Sequence, residues 1–410
     1  MVRVFVEQTG RRILPFDDPV GEVLVGNRPL HEWQTAAFRD AGLTRCDVLQ
    51  PPCLVVPDTL LASPEALTAF VAGAGGQDAV LVLGNSRFGE GTIPVQPAVV
   101  RVDAGWRFEA IRFVSGQDAP PRDVVVDPAE WLVDVPMPRQ YTGDDVLKLG
   151  VPLRLVLTLH HWVHLLWANQ LVGGVALRRT SRGRLLLRGA WAALRALSTN
   201  KWKILGKLNH LGRGCDIHPT AVLEGCTLGD RVVVGPFARL AFCEVGDGAV
   251  VMPGASVSFS VLGAGSLVGD LCVVRSCVLY PGSAASQHIL QQSVLGRDAV
   301  TTKGGGTLDL SWDAPIKVTL DGRVHSTGLR VLGSAYGHRC RIGTGILLSP
   351  GRSVPNDYFL IRDPRTILSI LPPGLPHQPL LASGTKARPS AVLGGAAARR
   401  PPGGDQGDAR

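Results

Sequence analysis

One histidine, His288, stands in the glycine-rich stretch GSAASQHILQQSVLGRDAVTTKGGGTLDLSWD (Gly282–Asp313), which also carries the consecutive glycines Gly304–Gly306. An imidazole titrates near neutrality, so His288 is a candidate general base. The competing reading is a structural histidine that caps a turn or bonds a backbone carbonyl. His325 and His338 lie downstream as alternative bases with no motif around them, and His218, in IHPTA, reads as the start of a structural element. Near the N-terminus, the strand-like VRVFV (Val2–Val6) runs into Glu7-Gln8-Thr9-Gly10-Arg11-Arg12. Glu7, Arg11 and Arg12 set one acid and two cations within this short segment.

Such side chains need a frame, and the sequence suggests three. Residues 1–145 alternate strand-like runs (VRVFV, AVLVLG) with a helical spacing in Pro29–Leu43 that opens on a proline suited to a first turn. This is α/β patterning. Residues 146–211 are apolar, Trp-rich and basic, and are expected to form an amphipathic helical linker. The 151–177 part is long enough to span a bilayer, but Arg154, His160, His161, His164 and the Gly173-Gly174 pair argue against lipid burial. Two readings stay open for 151–205: a helix packed on its neighbouring domain, or attachment to a membrane surface through Trp162, Trp167 and the arginines.

From Ile217 the sequence repeats itself. LGDRVVVGPFARLAFCE, VGDGAVVMPGASVSFSV and LGAGSLVGDLCVVRSCV align with aliphatic residues at Leu228, Val234, Leu240, then Val245, Val251, Val257, then Leu262, Val268, Val274. Each coil takes about 17 residues and lays three short strands on three faces of a prism. A glycine after the first aliphatic position turns a corner where a side chain would clash. The pattern breaks near 314–330 and resumes at His338–Val354. The repeat region is assigned to 215–370. The Pro-, Gly- and Ala-rich 371–410 reads as a disordered tail.

Composition narrows the class. Lys and Arg number 42 against 34 Asp and Glu, a net charge of +8, which suits phosphorylated ligands or an anionic surface but also plain solubility; no nucleic-acid partner is expected. The eight cysteines form no CxxC pair and lie at no zinc spacing from histidine, so reduced structural cysteines are expected. The N-terminus has no apolar run of signal-peptide length, which makes the cytoplasm the expected compartment, peripheral to membrane if 151–205 attaches.

The [LIV]-G-x(4) hexads resemble the left-handed parallel β-helix of the trimeric hexapeptide acyltransferases. Thr9–Leu43, TGRRILPFDDPVGEVLVGNRPLHEWQTAAFRDAGL, resembles the opening of the sugar-1-phosphate nucleotidylyltransferases, and the combination is similar to the bifunctional N-acetylglucosamine-1-phosphate uridylyltransferase and glucosamine-1-phosphate acetyltransferase family. The resemblance covers about 1–90 and 215–360 and implies a truncated nucleotidyltransferase-like domain ahead of the β-helix, with sites shared between the subunits of a homotrimer.

What the family implies for single residues follows from its motifs. Arg11 or Arg12 would keep the phosphate-contacting arginine. The family lysine falls on Val20, and the Mg²⁺-binding aspartate on Asn85, which lacks the charge. In the acetyltransferase half, GSAASQH places His288 as the base and Arg275 as the phosphate-binding cation. Ser311 and Trp312 stand for the asparagine and tyrosine that contact the acetyl group and sugar, Lys317 for the lysine near coenzyme A, and Thr344 for a serine that contacts it. The implied activity is acetyl or acyl transfer from acetyl-CoA or another acyl-CoA to a sugar phosphate or sugar nucleotide. The alternative is a sugar-nucleotide-binding pseudoenzyme, a regulatory subunit or a scaffold.

Overall fold

Apolar runs without alternation fold as strands covered on both faces. Arg3–Glu7 (β1) is followed by helix Leu30–Asp40 (α1), strands Thr44–Cys46 (β2) and Cys53–Pro57 (β3), and helix Pro64–Ala74 (α2). Ala79–Gly84 (β4), Gly105–Val114 (β5) and Arg122–Val126 (β6) follow, in the order β6-β4-β5-β3-β1-β2, and Val99–Val102 pairs with β5 as a seventh strand off this path. All pairs along it are parallel except those of β5, so the N-terminal region is α/β. Every residue of β3 and β4 is buried. Pro29 is the N-cap of α1 rather than its first turn, and the helix turns Leu30, Gln34, Ala37 and Phe38 inward.

This computed structural model describes residues 2–117, 120–136, 139, 146–286, 288–367, 380–382 and 387–389. The chain divides into two units, Met1–Phe359 and Leu360–Arg410. In the second, Leu380–Ala382 pairs antiparallel with Ala387–Pro389; the rest of the expected tail lies outside the described residues.

The segment expected as one helical linker is three different things. Val146–Val151 is a strand paired with Trp131–Pro136, and Val156–Thr158 pairs with Leu60–Ala62. Helix Trp162–Arg179 (α3) is buried on nearly every side over its first two turns, including Trp162, His164, Leu166 and Trp167. Only helices Arg182–Ala196 (α4) and Lys201–Leu205 (α5) are largely exposed. The apolar character of 151–177 thus reflects core burial. The N-cap supplies the reason for HHWVH: His161 Nδ1 accepts from Val163 N–H (3.3 Å), and His164 Nδ1 accepts from the N–H groups of His160 (3.0 Å) and His161 (3.2 Å).

The repeats form parallel strands stacked in sheets on three sides, as in a β-helix. Leu228, Val245, Leu262 and Leu279 follow one another along the first sheet, Val234, Val251, Val268 and Ala285 along the second, and Leu240, Val257, Val274 and Leu290 along the third. All twelve are buried. The corner glycines are sterically required: a Cβ on Gly263 would sit 2.4 Å from Pro281 N in the next coil. The break in the repeat is an insertion between the third and first sheets, carrying the hairpin Lys317–Leu320/Arg323–Ser326. The ladder continues past it, with Leu295 paired to Tyr336.

The expected domain border near residue 145 is not a border in packing. One apolar core runs from Val4 and Leu54 of the sheet through Trp162 and Leu166 of α3 to Val278, Tyr280 and Val294 of the stack. A clasp fixes the contact. The Phe16 ring stacks on buried Tyr280 with centroids 5.5 Å apart, and the Tyr280 hydroxyl accepts from Leu24 N–H (3.1 Å). Both Asp18 carboxylate oxygens lie 2.9 Å from one Arg297 guanidinium nitrogen, and Oδ1 lies 3.2 Å from His338 Nε2. Burial pushes the Asp18 carboxyl up, but the hydrogen bond from His338 and the Arg297 charge outweigh it and hold it below the usual carboxylate range. Asn356 Nδ2 donates to Phe16 O (2.7 Å).

A second tie comes from Val25-Gly26-Asn27. Gly26 N–H donates to Asn169 Oδ1 (2.8 Å), and Asn27 Nδ2 donates to Leu262 O (3.1 Å) in the stack. Gly26 has φ +53°, and a Cβ there would come within 3.1 Å of the Glu244 carboxylate. Phe16→Ala is expected to cost about 3–5 kcal/mol by emptying the clasp. Phe237→Ala, at a corner ring that is 75 % exposed, should cost almost nothing. Chemical denaturation of the two variants measures the difference, and equal losses would contradict the role given to the clasp.

Candidate ligand-binding cleft

Strand order reverses at β1, because α1 leads to β2 on one side and the chain then crosses to β3 on the other. In open parallel sheets the crevice at the carboxyl ends of such strands is where ligands enter. A cleft of about 400 Å³ lies there, lined by Gln8, Gly10, Arg11, Arg12, His31, Gln34, Arg45 and Asp58. The loop after β1 bends at Gly10 (φ +66°) and is pinned to the end of β3: Thr9 donates to the Asp58 carboxylate through its N–H (3.2 Å) and hydroxyl (2.6 Å). Thr9 Oγ1 accepts in turn from Arg11 N–H (3.2 Å). Buried Gln34 holds β3's end from below, donating to Asp58 O and Leu60 O at 2.8 Å each. His31 and Gln34 belong to the first turns of α1, so the positive end of that helix dipole faces the cleft.

A second lobe of about 430 Å³ opens on the other side of the loop, between Gly10, Arg11, Arg12, Leu14, His160 and Asp321. Its far wall is the inserted hairpin, whose tip residue Asp321 receives two Arg11 hydrogen bonds at 2.7 and 2.9 Å. That hydrogen bond raises the Arg11 guanidinium and lowers the Asp321 carboxyl. His160 leaves Nδ1 buried without a hydrogen-bond partner among the described residues. Burial first, and the nearby Arg11 charge second, push its imidazole down to about 4; burial does the same to His161 and holds His164 well below the ordinary imidazole range. Arg12 is held by Asp17 (Nε to Oδ1, 2.7 Å), whereas Arg45 has no ion pair among the described residues. Val20, where the family lysine would stand, is buried in the cleft floor.

The expected site residues do not converge as one constellation. Arg11 and Arg12 line the cleft. Asn85 lies at the same edge of the sheet but three strands from β1, about 14 Å at ordinary strand spacing, with Nδ2 donating to Asp103 O (3.2 Å). Among the described residues no group of three or more His, Cys, Asp or Glu side chains is arranged to hold a metal. With Asn85 remote and both Asp58 carboxylate oxygens bound to Thr9, the donor set is a poor fit for Mg²⁺.

In the stack, His288 is exposed at the corner between the second and third sheets, just before Ile289–Gln291. Lys303 and Thr344 occupy the same corner in the next two coils, and Lys303 Nζ reaches back past the His288 coil to Asp270 (2.6 Å). Thr344 Oγ1 lies 3.3 Å from Thr302 Oγ1. Arg275 pairs with Gln291 at the opposite end of the third-sheet strand, roughly 10 Å along from His288. There burial pushes the Asp309 carboxyl up, and the Arg275 charge opposes it only in part. Ser311, Trp312 and Lys317 belong to the insertion: Ser311 Oγ donates to Ala314 O (2.7 Å), Trp312 is exposed with its carbonyl accepting from Arg330, and Lys317 is exposed on the hairpin. His338 is spent in the clasp, since its Nδ1 accepts from Arg297 N–H (2.7 Å). His325 lies on the hairpin, beside His161.

Sequence reasoning missed Arg45, His31, Gln34, Asp58, His160 and Asp321. The first four sit where a switch-point rule, applied to strand ends, would have found them; Asp321 is brought in by a non-local contact with no local signal. No family model matches this chain, and no curated protein matches it either.

Imidazoles held near 4 in the fold but near 6.5 in the unfolded chain bind protons first in the unfolded chain. Stability is therefore complete above pH 6.5 and falls as pH drops toward 4, by about 1.4 kcal/mol per pH unit for each such histidine. Melting temperatures measured from pH 7 to 5 should decline, and less steeply in His160→Gln. A flat profile would contradict the buried neutral cluster.

Proposed function

We propose that the cleft at the end of β1 binds the phosphate groups of a sugar phosphate or sugar nucleotide. The observation that carries this reading is the meeting of Arg11, Arg12 and Arg45 with the N-terminal end of α1 at the strand-order reversal. Arg45 provides a charge with no ion pair among the described residues, while Asp321 and Asp17 hold the other two guanidinium groups in fixed orientations. Ligand binding takes over part of what the two carboxylates now satisfy. With the family lysine replaced by Val20 and Asn85 in place of a carboxylate, the cleft is better suited to holding a phosphorylated ligand than to nucleotidyl transfer.

Acyl transfer in the stack is the second reading, favoured by the exposed His288 on the corner shared with Lys303 and Thr344. In that reaction His288 takes the proton of an acceptor amine as its nitrogen attacks the acyl-CoA thioester carbonyl. The C–S bond then breaks, and the leaving thiolate is protonated to coenzyme A. This reading takes the coils as left-handed and the working unit as a homotrimer. The exposed Phe237, Leu271 and stacked Phe242–Phe259 rings (5.3 Å) give the prism apolar corners to cover.

Thermal-shift screening with sugar phosphates, nucleoside diphosphate sugars and acyl-CoAs tests both. A phosphorylated sugar ligand should raise the melting temperature of the wild type, and Arg45→Ala should weaken its binding about tenfold, the loss of one charge-assisted contact. Thiol release from acyl-CoA with an amino-sugar acceptor, abolished in His288→Ala, would establish the transferase. Unchanged melting with every phosphorylated sugar would refute the cleft reading.

A further inference from the structure

Helices α4 and α5 present a surface that the rest of the fold leaves uncovered. Seen down its axis, α4 has three sectors. Leu185, Gly189, Ala192, Ala193 and Ala196 face the protein and are buried or half-buried. Leu186, Leu187, Trp191 and Leu194 face outward at 62–74 % exposure, joined at the helix end by Leu197 at 89 %. Between these sectors, on one flank, stand Arg184, Arg188 and Arg195, all exposed. In α5, Trp202 is 52 % exposed, with Lys201 Nζ 4.8 Å from its ring and Lys203 beside it.

Two features of this surface act together. None of these cations has an ion pair among the described residues, and the sequence has no acidic residue between Asp145 and Asp216. An apolar stripe of leucine and tryptophan edged by arginine is what lies in the boundary between headgroups and acyl chains, with side chains long enough to keep guanidinium groups at phosphate level. A second copy of this chain, pairing through the same patch, would bring cation against cation, which selects against that occupant.

We propose that α4 and α5 dock the protein on an anionic lipid surface, α4 lying in the plane of the interface. The helix does not enter the bilayer, and none of the described helices is long and apolar enough to cross one. The buried helix α3 takes no part, which confines the contact to 182–205. None of the residues of this surface lines the cleft.

The test is flotation of the full-length protein with vesicles of phosphatidylcholine alone and of phosphatidylcholine with phosphatidylglycerol. The wild type should float with the anionic vesicles, much less with the neutral ones, and less at high salt. Arg184→Gln, Arg188→Gln and Arg195→Gln combined should weaken binding on the order of a hundredfold, at about fivefold per charge. Leu187→Ser with Trp191→Ser should abolish it while melting temperature and ligand binding in the cleft stay unchanged, because both side chains face solvent. Failure of the wild type to float with anionic vesicles, or equal binding to both vesicle types, would overturn the proposal. So would a loss of self-association in the serine variant with vesicle binding intact, which would make a second copy the occupant.

Discussion

The geometry of Met1–Phe359 depends on one contact: Phe16 laid on Tyr280, with Asp18 closed between Arg297 and His338. Two ring faces and a half-buried ionic group couple an α/β sheet to a stack of parallel strands. Apolar burial supplies the attraction and the polar partners fix the register. The carboxylate is worth keeping only because its partners are complete, since removing one would strand a buried charge. Because the same N-terminal segment holds the loop after β1 at its other end, the clasp also positions the arginines of the cleft.

Much of the stack was legible in the sequence, because a parallel coil repeats one local rule. An aliphatic residue every five or six positions and a glycine at the corner together leave little freedom, and Leu228, Val234 and Leu240 fall where that rule puts them. For the segment 151–177 the sequence left a packed helix and a membrane-surface helix both open, because apolarity on all faces marks burial but not what does the burying; the packed helix is what Trp162–Arg179 forms. Its histidines suited neither lipid nor solvent, and two of them, His161 and His164, cap α3 instead. The Val25-Gly26-Asn27 element, which reads as part of a resemblance to nucleotidyltransferases, acts here as a tie between α3 and the stack.

The candidate site was legible only in its first two arginines. Arg11 and Arg12 belong to the loop after the first strand, where sequence alone directs attention. Arg45 is on a three-residue strand whose neighbour is known only after the sheet is ordered, and Asp321 is more than three hundred positions from its partner. The stack presents the opposite case. His288 and Arg275, thirteen positions apart in the sequence, are separated by a whole strand, because a short strand fixes its two ends on different corners.

The inserted hairpin has a wider consequence. The ladder closes past it, Leu295 meeting Tyr336 as though nothing intervened, so the coils carry no information about its length or sequence. Yet its tip, at Asp321, is a wall of the cleft. The scaffold and the far wall of the cleft are thus under separate control. Exchange of one loop between otherwise similar prisms would change the surface beside Arg11 while the frame that holds the arginine stays as it is. In that sense the prism serves as a fixed chassis for a replaceable wall.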